Sequence, residues 1–201
     1  AGIAARLEGL VEFAPSEGVV NITAGKAEFH LNALSGDDFP TLPAPKRPLG
    51  ECDSGVLRRV FPRVAFCCAD DVSRIALTGL YWEADVAVAG DGTRIAVCGG
   101  LPDLGVALLL DGKGATELAD MMPENATVRI WEAGYEAATG TRESGPNAVR
   151  FEWADQDCEY VVGVRLLSAP FPLWRNVVPT SEPRLRIQVS RERLAEAVRR
   201  V

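Results

Sequence analysis

Apolar and polar residues alternate in short runs along the first part of the chain. Leu10 to Phe13, Val19 to Thr23 and Lys26 to Leu31 each follow the two-residue period of a half-buried strand. Pro15-Ser16-Glu17-Gly18 and Ala24-Gly25 separate them as turns, which predicts a series of short antiparallel strands. Ser35 to Pro40 and the proline-rich stretch to Pro48 break the pattern and read as a linker, so a new unit is expected near Leu49.

The period then changes. Asp53 and Ser54 are good helix caps, and Val56, Leu57, Val60, Val64 and Phe66 fall close to helical spacing, with Arg58, Arg59 and Arg63 off the apolar stripe. Pro62 is expected to kink this helix or shorten it, because proline lacks a donor and clashes with the preceding turn. Strands are predicted at Ile75 to Trp82, Asp85 to Ala89, Thr93 to Cys98 and Gly105 to Leu110, with Gly90-Asp91-Gly92 as a hairpin turn. A second helix is predicted from about Gly114 to Met122. Further strands follow at Thr127 to Trp131, Glu136 to Thr141, Ala148 to Trp153 and Cys158 to Leu166. Two helices among so many strands make an α+β architecture.

One signal recurs at the scale of a domain. Strand residues lead to Phe39-Pro40 and again to Phe171-Pro172, each followed by a proline-containing link. A helix then carries Leu-Arg-Arg-Val at 57–60 or Val-Arg-Arg-Val at 198–201. Such spacing points to consecutive copies of one domain, with the tail of one copy, a whole copy and the head of another. Ala1 in place of Met and a helical pattern running into Val201 suggest a piece of a longer chain.

Composition narrows the chemistry. The 201 residues are 47% hydrophobic, enough for a real core, and no apolar run approaches the roughly 20 residues of a membrane span. A cytoplasmic protein without membrane contact is the expectation. A net charge of -7 argues against indiscriminate nucleic-acid binding while leaving room for a local basic surface. The five cysteines show no C-x-x-C spacing, and the single histidine, His30, has no nucleophile motif beside it, so neither a metal nor a cofactor is expected. Gly112-Lys113-Gly114 lacks the phosphate-loop pattern, and Asp37-Asp38 and Asp70-Asp71 sit where aspartate serves turns and caps. Trp82, Trp131, Trp153 and Trp174 are too dispersed for one base-stacking platform. Arg58, Arg59, Arg63, Arg74 and Lys113 could form a basic patch or an ordinary solvated face.

Several ordered motifs resemble those of the bacterial DNA polymerase III sliding clamp, the beta subunit. They are Lys26 to Leu31 with Asp37 to Pro40, Ser73 to Leu80, Asp91 to Val97, Lys113 to Leu118, and Phe171 to Pro179. The resemblance implies a DNA clamp fold, with antiparallel sheets outside and two helices per domain inside. It divides the chain into the end of a first clamp domain (1–45), a complete middle domain (46–179) and the start of a third (180–201). It implies a non-catalytic processivity factor, a homodimeric ring around duplex DNA, with Arg58, Arg59, Arg63, Arg74 and Lys113 touching phosphates. It also implies a pocket made of Leu77, Gly92, Thr93, Arg94, Ile95, Pro172, Asn176 and Val177 that takes linear peptides from DNA polymerase, the clamp loader and repair proteins. Thr93 and Asn176 stand where many members carry larger or basic side chains, and Asp120 where a basic one is common. The rival from another class is a small α+β enzyme using a carboxylate or cysteine, with Asp91 or Cys98 as its candidate groups. A third reading is an assembly module without a basic face.

Overall fold

The computed structural model describes residues 7, 9–34, 36, 41–134, 147–182 and 184–200. Asp37, Asp38, Phe39, Pro40 and the expected strand at 136–141 lie outside the described residues. The first three strands, β1 (Val11–Ser16), β2 (Val19–Ala24) and β3 (Ala27–Asn32), form an antiparallel meander in the order β1-β2-β3. The turn glycines Gly18 and Gly25 separate them, as the alternation predicts.

The boundary expected near Leu49 falls within a strand. The proline-rich stretch is not a bare linker: it forms the first half of β4 (Ala44–Asp53), which pairs with β9 (Thr127–Gly134). Register shifts fall between Pro45 and Arg47 and between Pro48 and Gly50, and β4 is an edge strand. Both features explain why prolines are tolerated there, since an edge strand and a bulge leave amide positions outside the ladder. With β10 (Ala148–Ala154) and β11 (Glu159–Arg165), these strands make the sheet β11-β10-β9-β4.

The other sheet has the order β7-β6-β5-β8, from β5 (Gly79–Glu83), β6 (Val86–Gly90), β7 (Ile95–Gly99) and β8 (Leu108–Asp111). All of its ladders are antiparallel. The two sheets meet where β8 approaches β11, through a bridge between Leu110 and Leu166 and a 2.9 Å bond from the Leu167 amide to the Leu109 carbonyl. The strand expected from Ile75 starts only at Gly79. Val72–Thr78 is a 3₁₀ segment instead, capped by the Asp71 side chain accepting from the Ser73 amide at 2.9 Å.

Helices α1 (Ser54–Ala65) and α2 (Gly112–Met121) pack against each other and against both sheets. Asp53 caps α1, and Leu57, Val60, Phe61 and Val64 are its fully buried stripe. Pro62 does not divide this helix. It lies in the last turn, and the helix continues to Ala65. Ala115, Leu118 and Ala119 are the buried positions of α2, and they join Trp82, Leu110, Ile130 and Phe151 in one core cluster. Ser54 pins the start of α1 to the segment after α2. Its hydroxyl donates to the Pro123 carbonyl at 2.7 Å and accepts from the Ala126 amide at 3.0 Å.

A third helix, α3 (Arg191–Arg199), starts at the capping Ser190. Its arginine pair does not repeat the position of the pair in α1. Arg58 lies five residues past the capping Asp53 of α1, whereas Arg199 lies nine past the capping Ser190 of α3. No helix among the described residues is long and apolar enough to cross a membrane.

Candidate functional site

The hairpin turn between β6 and β7 is organised by one carboxylate. Asp91 Oδ1 accepts from the Thr93 amide at 2.9 Å, the Thr93 hydroxyl at 2.7 Å and the Arg94 amide at 3.0 Å. Its Oδ2 accepts from Arg94 Nε at 2.9 Å. These bonds to the ionised form, those from Thr93 foremost, hold the Asp91 carboxyl well below the usual carboxylate range. Gly92 has a φ of +96°, a conformation costly for a residue with a Cβ, and a Cβ there would lie 3.1 Å from the Arg74 guanidinium. Arg94, pinned by Asp91, sits over the Phe66 ring with its guanidinium carbon 5.6 Å from the centroid.

Two other segments converge on this turn. The 3₁₀ segment brings Leu77, and the chain after β11 brings Phe171 to Val177. Phe171 stacks on Tyr81, with ring centroids 4.8 Å apart and planes 8° apart. The Trp174 indole donates to Glu83 Oε2 at 3.3 Å, and Arg175 forms an ion pair with the same oxygen.

Between the three segments lies a cavity of about 330 Å³ lined by Leu77, Gly90, Gly92, Thr93, Arg94, Ile95, Phe171, Pro172, Trp174 and Val177. Its wall is mainly apolar. Of the pocket residues expected from sequence, Leu77, Gly92, Thr93, Arg94, Ile95, Pro172 and Val177 line it together. Asn176 does not: it ends the short 3₁₀ turn Trp174–Asn176 and is exposed. Gly90, Phe171 and Trp174 are additional wall residues. Phe171 and Trp174 lie inside the motif that supplied Pro172 and Val177, so the signal for them was adjacency.

The basic residues divide. Arg59 and Arg63 are exposed, four residues apart on the side of α1 away from its buried stripe. Arg58 is half-buried, and its guanidinium donates to the Met122 carbonyl at the end of α2. Lys113 is exposed and pairs with Glu117 at 3.7 Å, on an outward stripe of α2 that also carries Asp120 by helical spacing. Arg74 lies by the turn at Gly92 rather than on either helix.

The groups expected of an enzyme are held otherwise. Asp91 is fully engaged in its turn and too acidic to act as a proton donor near neutrality. Cys98 makes a long 3.8 Å contact to the Gly99 carbonyl on edge strand β7. Burial pushes the thiols of Cys52 and Cys68 up to about 11 and about 12, so both stay protonated and poorly nucleophilic. Among the described residues no cluster of three His, Cys, Asp or Glu could hold a metal.

No protein-family profile matches the chain. It is 27% identical over 113 residues to the beta sliding clamp of Bacillus subtilis, covering 52% of this chain and 30% of that protein. It is 25% identical over 205 aligned positions to the beta sliding clamp of Pseudomonas putida, covering 96% of this chain and 51% of that protein. Among solved structures, the DNA polymerase III subunit beta from Pseudomonas aeruginosa matches with a TM-score of 0.74 at 24% identity, over 99% of this chain and 53% of that one. The chain thus spans about half the length of these two Pseudomonas proteins. It is similar to the bacterial beta sliding clamps over about half their length and has their α+β clamp fold.

Proposed function

We propose that the protein containing this chain is a DNA sliding clamp: a non-catalytic, cytoplasmic accessory subunit that encircles duplex DNA and tethers DNA polymerase and other partners. In this reading the chain holds the end of a first clamp domain, a whole middle domain and the start of a third. The middle domain, expected over 46–179, would then take in β4, which runs from Ala44 to Asp53. The observation that carries the reading is the meeting of Leu77, Ile95, Pro172 and Val177, from three separate segments, around one apolar cavity beside Arg94. Such a groove suits bulky apolar side chains of a linear peptide, the shared currency of many partners using one site. Arg59, Arg63 and Lys113 supply the loose, sequence-independent phosphate contact that sliding needs.

The test is titration of a labelled peptide carrying leucine and phenylalanine side chains against wild type and Ile95→Asp. A well-buried apolar side chain contributes roughly 1.5–3 kcal/mol, so the variant should bind at least about tenfold more weakly. Equal binding by both proteins, or none by wild type at millimolar peptide, would falsify the pocket.

A further inference from the structure

The cavity wall contributed by Phe171 to Val177 has little regular structure to hold it. Its backbone makes one short 3₁₀ turn, closed by local bonds from the Asn176 amide to the Leu173 carbonyl and from the Val177 amide to the Trp174 carbonyl, both at 3.0 Å. Leu173 is 78% exposed and Val177 65% exposed, so core burial does not fix the segment either. Something else has to set its position.

Strand β5 supplies it. Trp82 is fully buried and donates from its indole to the carbonyls of Ala84 and Pro102, both at 3.1 Å, which locks the strand's inward face. Tyr81 and Glu83, on either side of it, therefore share the opposite face, because strand side chains alternate. Tyr81 receives the ring of Phe171, and Glu83 receives both the Trp174 indole and the Arg175 guanidinium. Arg175 in turn lies over the Trp174 ring, 4.3 Å from its centroid, so one carboxylate holds two mutually stacked side chains. Trp174 lines the cavity, whereas Glu83 does not.

We propose that Glu83 is a positioning residue that fixes the segment from Phe171 to Val178 on β5 and thereby sets the shape of the pocket. This rests on the pocket reading above. Losing the carboxylate's charge releases Arg175 first and Trp174 with it, while the Tyr81–Phe171 stack still tethers the segment at its start. The pocket then loses its fixed wall without loss of the fold, since Glu83 is not part of the core cluster.

The experiment compares wild type with Glu83→Gln and Glu83→Ala by hydrogen exchange at the amides of Leu173 to Val178, by thermal unfolding, and by titration of the same leucine- and phenylalanine-bearing peptide. Exchange in that segment is expected to rise about tenfold in both variants, as for loss of a charge-assisted bond, with the unfolding midpoint nearly unchanged. Peptide affinity should fall by a similar factor, and the exchanged pair Glu83→Arg with Arg175→Glu should recover part of it. Unchanged exchange in both variants overturns the positioning role, and so does raised exchange with undiminished affinity. If wild type binds no peptide, the pocket reading falls by itself, and the exchange measurement still decides whether Glu83 holds the segment.

Discussion

Asp91 shows how much one short side chain can organise. Four donors within three residues point at its two oxygens, and each favours the ionised form. A carboxyl titrating below its unfolded value stabilises the fold fully above the ordinary aspartate range, and that stabilisation is lost only as pH falls through the depressed value. An NMR titration should therefore place the Asp91 midpoint well below that of a solvated aspartate. An ordinary midpoint would show that the turn is not held this way. The turn itself was legible, because Gly-Asp-Gly is a local signal. Glu83 and Ser54 were not. Their partners lie 92 and 69 positions away along the chain, and no local pattern announces such pairings.

At the scale of elements, α1 and α2 followed from caps and apolar spacing, while two stretches differed for reasons of context. Val72–Thr78 carries strand-like apolar residues, yet Asp71 caps it as a 3₁₀ segment with none of its residues buried. The prolines before Leu49 suggested a break, but edge position and bulges admit them into β4. The start of α2 offers a direct check on packing. A Cβ on Gly112 would come within 2.4 Å of Cys68 Sγ and 2.9 Å of the Thr78 carbonyl, so Gly112→Ala should destabilise by about 1–3 kcal/mol. Adding Cys68→Ala should recover part of that loss, since it removes the nearer obstacle. Urea unfolding of the single and double variants measures both. A neutral Gly112→Ala would mean that the two elements are not in such close contact.

For the whole molecule, the decisive quantity is where the charge sits, not its sum. The chain is acidic at -7, but Arg59 and Arg63 are exposed together on one side of α1. If they touch phosphates, replacing both by alanine in the DNA-binding protein should flatten the dependence of log affinity on log salt by about 0.9 per lost contact, nearly 2 in all. An unchanged slope would remove them from the interface. Arg58 should matter less, because its guanidinium already serves the Met122 carbonyl. Sequence spacing grouped all three on one helix. It could not show that α2 ends against one of them.

The placement of Trp174 carries an optical consequence. Trp82 and Trp153 are buried in the core, and Trp131 is half-buried with its indole donating to Glu152 at 3.1 Å. Trp174 alone among the four lines the cavity, with a cation stacked on its ring and a carboxylate at its nitrogen. Its excited state is therefore sensitive to whatever enters the groove, while the other three indoles supply a steady background. The protein carries its own fluorescent gauge of occupancy, readable without any attached dye.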